Sequence, residues 1–340
     1  MILKAIDKTD LYRLIKAVQE DGAVVYAPVK QPEETVLAEL GKGQVPDLDY
    51  FQTRLPVKRL FFPWSEVLYS YRDGQFEEKN RGEAASVVCG VRPCDARGLK
   101  YLDKVFLDEK ISDPYYADKR KNTVILALAC NETAETCFCT ELDGSMAGRE
   151  GVDVLMYPLA DKILFEACST NGETFMQRYA AVFNDAGTEL LNQRDNLLKA
   201  AGKKTGATDI LAGIKAHVDA LDSDTWERIA QKCIGCGICT YLCPTCHCFG
   251  IHEEQQKQQQ QSHRVRVQDS CQYPGFTREA SAHNPRKTHG QRMKQRILHK
   301  FSYAVDLFDT AFCTGCGRCV AHCPVNFDIR EIVVRGEQRT

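Results

Sequence analysis

No apolar run in the 340-residue chain approaches the ~20 residues a membrane-spanning helix needs, so no membrane partner is expected. Neither sign of charge dominates: 44 Lys and Arg face 46 Asp and Glu, and a net charge of −2 gives no reason to expect nucleic acid. The opening "MILKAIDKTD" carries Lys4, Asp7, Lys8 and Asp10, which is not the pattern of a secretory signal. A reducing cytoplasm is the expected location. No G-x-G-x-x-G, P-loop, H-E-x-x-H or adjacent Cys-Cys pair occurs, and no nucleophile–base pair stands out. No catalytic residue is therefore assigned.

Cysteine, by contrast, is abundant. A disulfide framework belongs to small secreted domains with too little core, and a chain with 44% hydrophobic residues and 17 cysteines is neither small nor secreted in pattern. Metal or redox chemistry explains the cysteines better. "CIGCGICTYLCPTCHC" begins at Cys233, and "CTGCGRCVAHCP" begins at Cys313. Both contain C-x2-C-x2-C-x3-C-P, the spacing of the bacterial two-cluster ferredoxin, in which the fourth cysteine serves the other cluster. Glycines between the first three thiols let the chain turn tightly, and proline stops the short helix that follows. The expected ligand sets are Cys233, Cys236, Cys239 and Cys323 for one [4Fe-4S] cluster, and Cys313, Cys316, Cys319 and Cys243 for a second. Zinc is the rival, but structural zinc sites commonly use two separated C-x2-C pairs. Here each run offers three cysteines and the runs complement one another.

The first half reads as α/β. "AASVVCGV" (84–91), "NTVILALAC" (122–130), "DVLMYPL" (153–159) and "KILFEAC" (162–168) suit strands, and the stretch after Cys94 suits a helix through Leu99, Leu102 and Phe106. A mixed sheet with helices packed on it is expected. The proposed division is an α/β domain over 1–173, a helical linker over 174–228 and a two-cluster ferredoxin-like module over 229–340, with a long insertion at 244–312. Leu190, Leu191, Leu197 and Leu198, then Ile210, Leu211, Ile214, Val218 and Leu221, recur at helical spacing and are read as packing faces. "EEQQKQQQQSH" (253–263) is read as a solvated loop or tip. The Lys and Arg of 278–300 have two readings, a solvated helix face or cations set against an anionic cofactor or acidic partner; Arg286, Arg292 and Arg296 are the candidates for the second.

The other cysteines divide three ways. Cys94 follows one predicted strand and Cys130 ends another; if these strands are parallel neighbours, both thiols sit at carboxyl ends, where α/β sheets bind ligands. Cys137 and Cys139 return from the next loop, so the four either meet around a third cluster or are independent core and loop residues. Cys246, Cys248 and Cys271 are either buried thiols or three ligands of an additional site. Cys89 and Cys168 are read as packing thiols.

"GVRPCDARGL", "DPYYADKR", "CNETAETCFC", "CIGCGICTYLCPTCHCFGI", "DSCQYPGFTREASAHNPR", "RILHKFSY" and "CTGCGRCVAHCPVN" occur in this order. Together, over roughly residues 61–332, they resemble the iron–sulfur beta subunit of cytoplasmic NiFe hydrogenases (sulfhydrogenases) and the related iron–sulfur subunit of anaerobic sulfite reductase. The resemblance implies a non-catalytic subunit that relays electrons between a flavin subunit binding FAD and NAD(P)H and a catalytic or other electron-accepting subunit of an anaerobic oxidoreductase. It also implies that Cys94, Cys130, Cys137 and Cys139 hold a third [4Fe-4S] cluster. Cys89 and the glutamine run depart from the family pattern. A self-sufficient reductase of a small sulfur-containing or other acceptor, and a scaffold with structural metal, are the competing functions.

Overall fold

In a computed structural model, residues 2–78, 84–201, 207–256 and 261–333 are described. The side chain of Ile210 and residues 257–260 of the glutamine run lie outside the described residues. Among the described residues, twelve strands form two sheets. The first has eight strands in the order β10-β1-β9-β8-β7-β6-β2-β3. These are β1 (Leu3–Asp7), β2 (Val24–Lys30), β3 (Thr35–Glu39), β6 (Ser86–Val91), β7 (Thr123–Leu128), β8 (Val154–Pro158), β9 (Lys162–Ala167) and β10 (Asn184–Asp185). Its centre, β2-β6-β7-β8, is parallel, and antiparallel strands flank it on both sides.

Period-two alternation sends successive residues of the central strands to opposite faces, and both faces are covered. Cys89, Leu126, Leu128 and Met156 pack on one side with Leu14, Ile15 and Val18 of the helix Leu11–Glu20. Val88, Ile125, Ala127 and Leu155 pack on the other with Leu99, Leu102 and Phe106 of the helix Pro93–Phe106. The sequence therefore shows near-continuous apolar runs where the strands lie. Cys89 is a core thiol, and Cys168 packs at the edge of the second face. Leu190, Leu191, Leu197 and Leu198 pack against that same face, whereas Ile214 and Val218 belong to a helical core with Trp226, Ile297 and Phe301.

The second sheet joins distant parts of the chain in the order β11-β12-β4-β5: β4 (Ser65–Arg72), β5 (Gln75–Glu78), β11 (Phe249–Gln256) and β12 (Gln261–Gln268). The reading of 253–263 as a solvated loop or tip is corrected for Glu253–Gln256 and Gln261–His263, which are strand. Glu253–Gln256 and Gln261–His263 pair as the distal end of a β-hairpin, with Gln256 opposite Gln261. Its outer strand exposes Glu253 and Glu254, so the polarity that suggested a loop marks a strand with a wet face. β12 also pairs with β4, and a buried charge network locks that contact: Arg266 of β12 reaches Glu66 of β4 and Asp113, and Lys119 reaches Glu66 as well.

Candidate metal centres

The two cysteine runs adopt the same backbone turn. Gly235 and Gly237 have φ of +69° and +76°, and Gly315 and Gly317 have +64° and +76°, values that side-chain-bearing residues rarely take. Each second glycine caps a four-residue helix, Ile238–Tyr241 in the first run and Arg318–Ala321 in the second. Pro244 and Pro324 then follow the fourth cysteines.

Cys233, Cys236, Cys239 and Cys323 line a single cavity, with Met293, Arg296 and Phe327 on its walls. Backbone N–H groups of Gly235 and Phe327 point at the sulfurs of Cys233 (3.4 Å) and Cys323 (3.2 Å). Cys243 is an electrostatic neighbour of Cys313, Cys316 and Cys319, and within its own run it touches Cys246. Its turn is held there by Thr245, whose hydroxyl donates to the carbonyl of Phe312 at 2.6 Å. Lys300 Nζ bridges the same places, donating to Cys243 Sγ at 3.3 Å and to Phe312 O at 2.9 Å. The fold thus sets Cys323 beside Cys233, Cys236 and Cys239, and Cys243 beside Cys313, Cys316 and Cys319.

Strands β6 and β7 are parallel neighbours, as the placing of Cys94 and Cys130 required. A register shift at Gly90 (φ +87°) bulges the end of β6 just before the chain turns into the helix that carries Cys94. Cys94, Cys130, Cys137 and Cys139 act on one another electrostatically, and Cys94 and Cys139 also feel Cys316. Cys137 and Cys139 are separated by Phe138, which turns away into the helical core with Leu142, Ile214 and Phe301. The loop rests directly on the second run: Phe138 N–H donates to Gly315 O at 2.8 Å. A Cβ on Gly315 would lie 2.4 Å from Cys139 Cα, and one on Gly317 2.4 Å from Thr136 O. Those glycines therefore make the turn and allow the close approach.

Three polar residues with no motif signal complete this junction. Arg318, fully buried between Cys316 and Cys319, makes a two-pronged ion pair with Asp95, both contacts at 2.7 Å, and donates to Thr53 O. Gln52 Nε2 donates to Cys316 O at 3.0 Å. The hydroxyl of Thr314 is buried without a partner and lines a cavity together with Cys94 and Cys139. An orphaned donor at that wall fits a sulfur-bearing group between the thiols.

Burial pushes the thiols of Cys239 and Cys316 up to about 11 and that of Cys139 up to about 12, and holds Cys94 well above its ordinary value. Such thiols stay protonated until a cation displaces the proton, which is what metal ligation does. Among the described residues no three His, Cys, Asp or Glu side chains converge closely enough to hold a single ion. Each run sets three thiols on one glycine-rich turn, and Cys323 joins Cys233, Cys236 and Cys239 on one cavity, a donor pattern that fits [4Fe-4S] better than the two separated C-x2-C pairs of structural zinc. Of the basic segment, Arg292, Arg296 and Lys300 are buried, Arg286 is half-buried and Arg278 and Lys287 are exposed, so a solvated face describes only part of that stretch. Arg296 faces Cys239, Cys243, Cys246 and Cys319; Arg292 caps the turn before its helix through the carbonyls of Arg286 and Lys287.

Residues 232–327 match the family model described as the 4Fe-4S dicluster domain. The chain is similar to sulfhydrogenase 2 subunit beta of Pyrococcus furiosus, 32% identical over 314 residues that cover 89% of each protein. No solved structure matches it significantly. No described helix is long and apolar enough to cross a membrane. The chain belongs to the sulfhydrogenase beta-subunit family, and its C-terminal part is a 4Fe-4S dicluster domain.

Proposed function

We propose that this chain is the electron-transfer subunit of a cytoplasmic anaerobic oxidoreductase, of hydrogenase, sulfite reductase or transhydrogenase type. It would connect a flavin subunit that binds FAD and NAD(P)H to a catalytic or other electron-accepting subunit. The observation that carries this is the contiguity of the three thiol sets. Cys316 of the middle set lies against Cys94, Cys137 and Cys139, while Cys319 of the same set lines the cavity of Cys233, Cys236, Cys239 and Cys323. The proposed ligands are the twelve cysteines of these sets, and the working division of the chain is 1–173, 174–228 and 229–340. When bound, [4Fe-4S] clusters supply one-electron carriers. The protein holds the thiols in place, surrounds them with buried cations and excludes water from Cys243, Cys313 and Cys316.

The test is anaerobic. Given NAD(P)H and its flavin subunit, the chain should lose visible absorbance as its clusters are reduced. Alone, with reduced dye, it should not turn over sulfite, polysulfide or NAD+. Turnover by the isolated chain would favour a self-sufficient reductase, and a colourless zinc protein would leave only a scaffold.

The crossed ligand sets give a sharper expectation. Cys243→Ser should chiefly disturb the cluster of Cys313, Cys316 and Cys319, and Cys323→Ser that of Cys233, Cys236 and Cys239. Electron paramagnetic resonance of the two variants checks this, since damage confined to each mutated run would reverse the assignment.

A further inference from the structure

Cys246, Cys248 and Cys271 belong to none of the twelve, yet the fold gathers them on one cavity with His247, Arg296 and His299. The hairpin does this. Phe249 pairs with Gln268, and Asp269 N–H donates to Cys248 O at 2.9 Å, so the residues just outside both strands meet. Cys246 arrives from the other side, three residues after Cys243. Arg296 and His299, spaced three apart, reach the same wall where their helix widens into the π-helical turn His299–Tyr303, a distortion frequent at functional sites.

The charges around these thiols are unbalanced. Lys58, Arg296 and Lys300 are 0%, 4% and 3% exposed, and among the described residues none has a carboxylate partner. Arg296 Nη1 lies 3.6 Å from Cys246 Sγ, and Lys58 Nζ donates to Cys246 O at 2.7 Å. An ammonium or guanidinium is costly to bury without a counter-charge. Ligation of Cys243 in the middle set offsets part of this for Lys300. Cys246, Cys243 and Cys248 are anionic-capable neighbours of Lys58. With Cys243 ligated, its thiolate is shared between Lys58 and Lys300; protonated thiols at Cys246, Cys248 and Cys271, or a neutral Cys248–Cys271 disulfide, add no further counter-charge, whereas metal-bound thiolates do.

We propose that Cys246, Cys248 and Cys271 hold a further iron–sulfur cluster, with three cysteine thiolates and a fourth position open or filled by His247 or His299. The site adjoins both ferredoxin-type sets: Cys271 neighbours Cys239, and Cys246 neighbours Cys243. It is a branch beside the line of thiol sets. It uses none of the twelve cysteines assigned above, so the two readings fail separately.

The full chain is reconstituted anaerobically with ferrous iron and sulfide. The Cys246→Ser, Cys248→Ser, Cys271→Ser triple variant should bind about four fewer irons than the unmutated chain. The paramagnetic signals of the other clusters should persist, which also reports a folded protein. Unchanged iron and sulfide in that variant overturn the proposal, as does one zinc per chain at this site or a Cys248–Cys271 disulfide in fully loaded protein. A second preparation guards against misfolding of the triple variant. A chain lacking Cys137 and Cys139 should still hold about twelve irons, and a saturated value of about eight refutes the additional site. Nitrogen hyperfine coupling lost in His247→Ala or His299→Ala, but not in the other, assigns an imidazole to the fourth position.

Discussion

Cys137→Ser combined with Cys139→Ser is expected to remove about four irons, one whole cluster, while the signals of the two ferredoxin-type clusters survive. The physical reason is where the four thiols come from. The sheet supplies Cys94 and Cys130 from the ends of parallel neighbours, and one short loop supplies the rest. Because Phe138 is anchored in the helical core at 2% exposure, the loop keeps its course when the sulfurs on either side are replaced. The damage should therefore stay local. Iron and acid-labile sulfide analysis decides it, and an unmutated, saturated chain with no more iron than the double variant would return these cysteines to packing.

The second large effect is at the buried pair between Asp95 and Arg318. Asp95 follows Cys94, and Arg318 lies between Cys316 and Cys319, so this pair clamps the α/β part to the second cysteine run. Asp95→Ala leaves a guanidinium at 0% exposure with only Thr53 to bond, and breaking a buried pair from one side costs about 3–5 kcal/mol. The variant should unfold at markedly lower denaturant concentration and release iron early. Replacing both residues, as Asp95→Leu with Arg318→Met, removes the uncompensated charge and should recover much of the loss. A double variant no more stable than Asp95→Ala would mean that Asp95 acts by packing and not by charge.

How much of this was legible beforehand depended on sequence distance. The dicluster cysteines could be read because their spacing is local and their chemistry exacting. Strands β6 to β9 could be read because burial on both faces leaves unbroken apolar runs. β4, β5, β11 and β12 could not. "SEVLYSYR" and "QSHRVRVQ" alternate polar and apolar residues weakly, and they find their partners across roughly 190 residues, a contact no local pattern encodes. β1 and β3 are short, at or near the sheet's edges and only partly buried. The basic stretch marked Arg286, Arg292 and Arg296, and of these Arg296 faces the thiols of several sets, while Lys300 at the end of the stretch was not singled out. Asp95 and Arg318 lie inside quoted motifs, but nothing marked them as partners, because a buried ion pair spanning 223 residues leaves no periodicity; nothing marked Lys58. The third set of thiols came from family resemblance, which its residues alone left open.

The pairing of β12 with β4 bears on how such a protein is made and inherited. The hairpin that seats Cys248 and Cys271 is completed by a strand near the beginning of the chain, and the second cysteine run is pinned by a residue next to Cys94. The electron-carrying segment is therefore not a cassette clipped onto a finished domain. During synthesis the β4–β5 pair must wait for the last quarter of the polypeptide before the free edge of β4 is covered. Cofactor loading then meets one nearly complete body, and exchange of the C-terminal segment between relatives has to carry β4, Glu66 and Asp95 along with it.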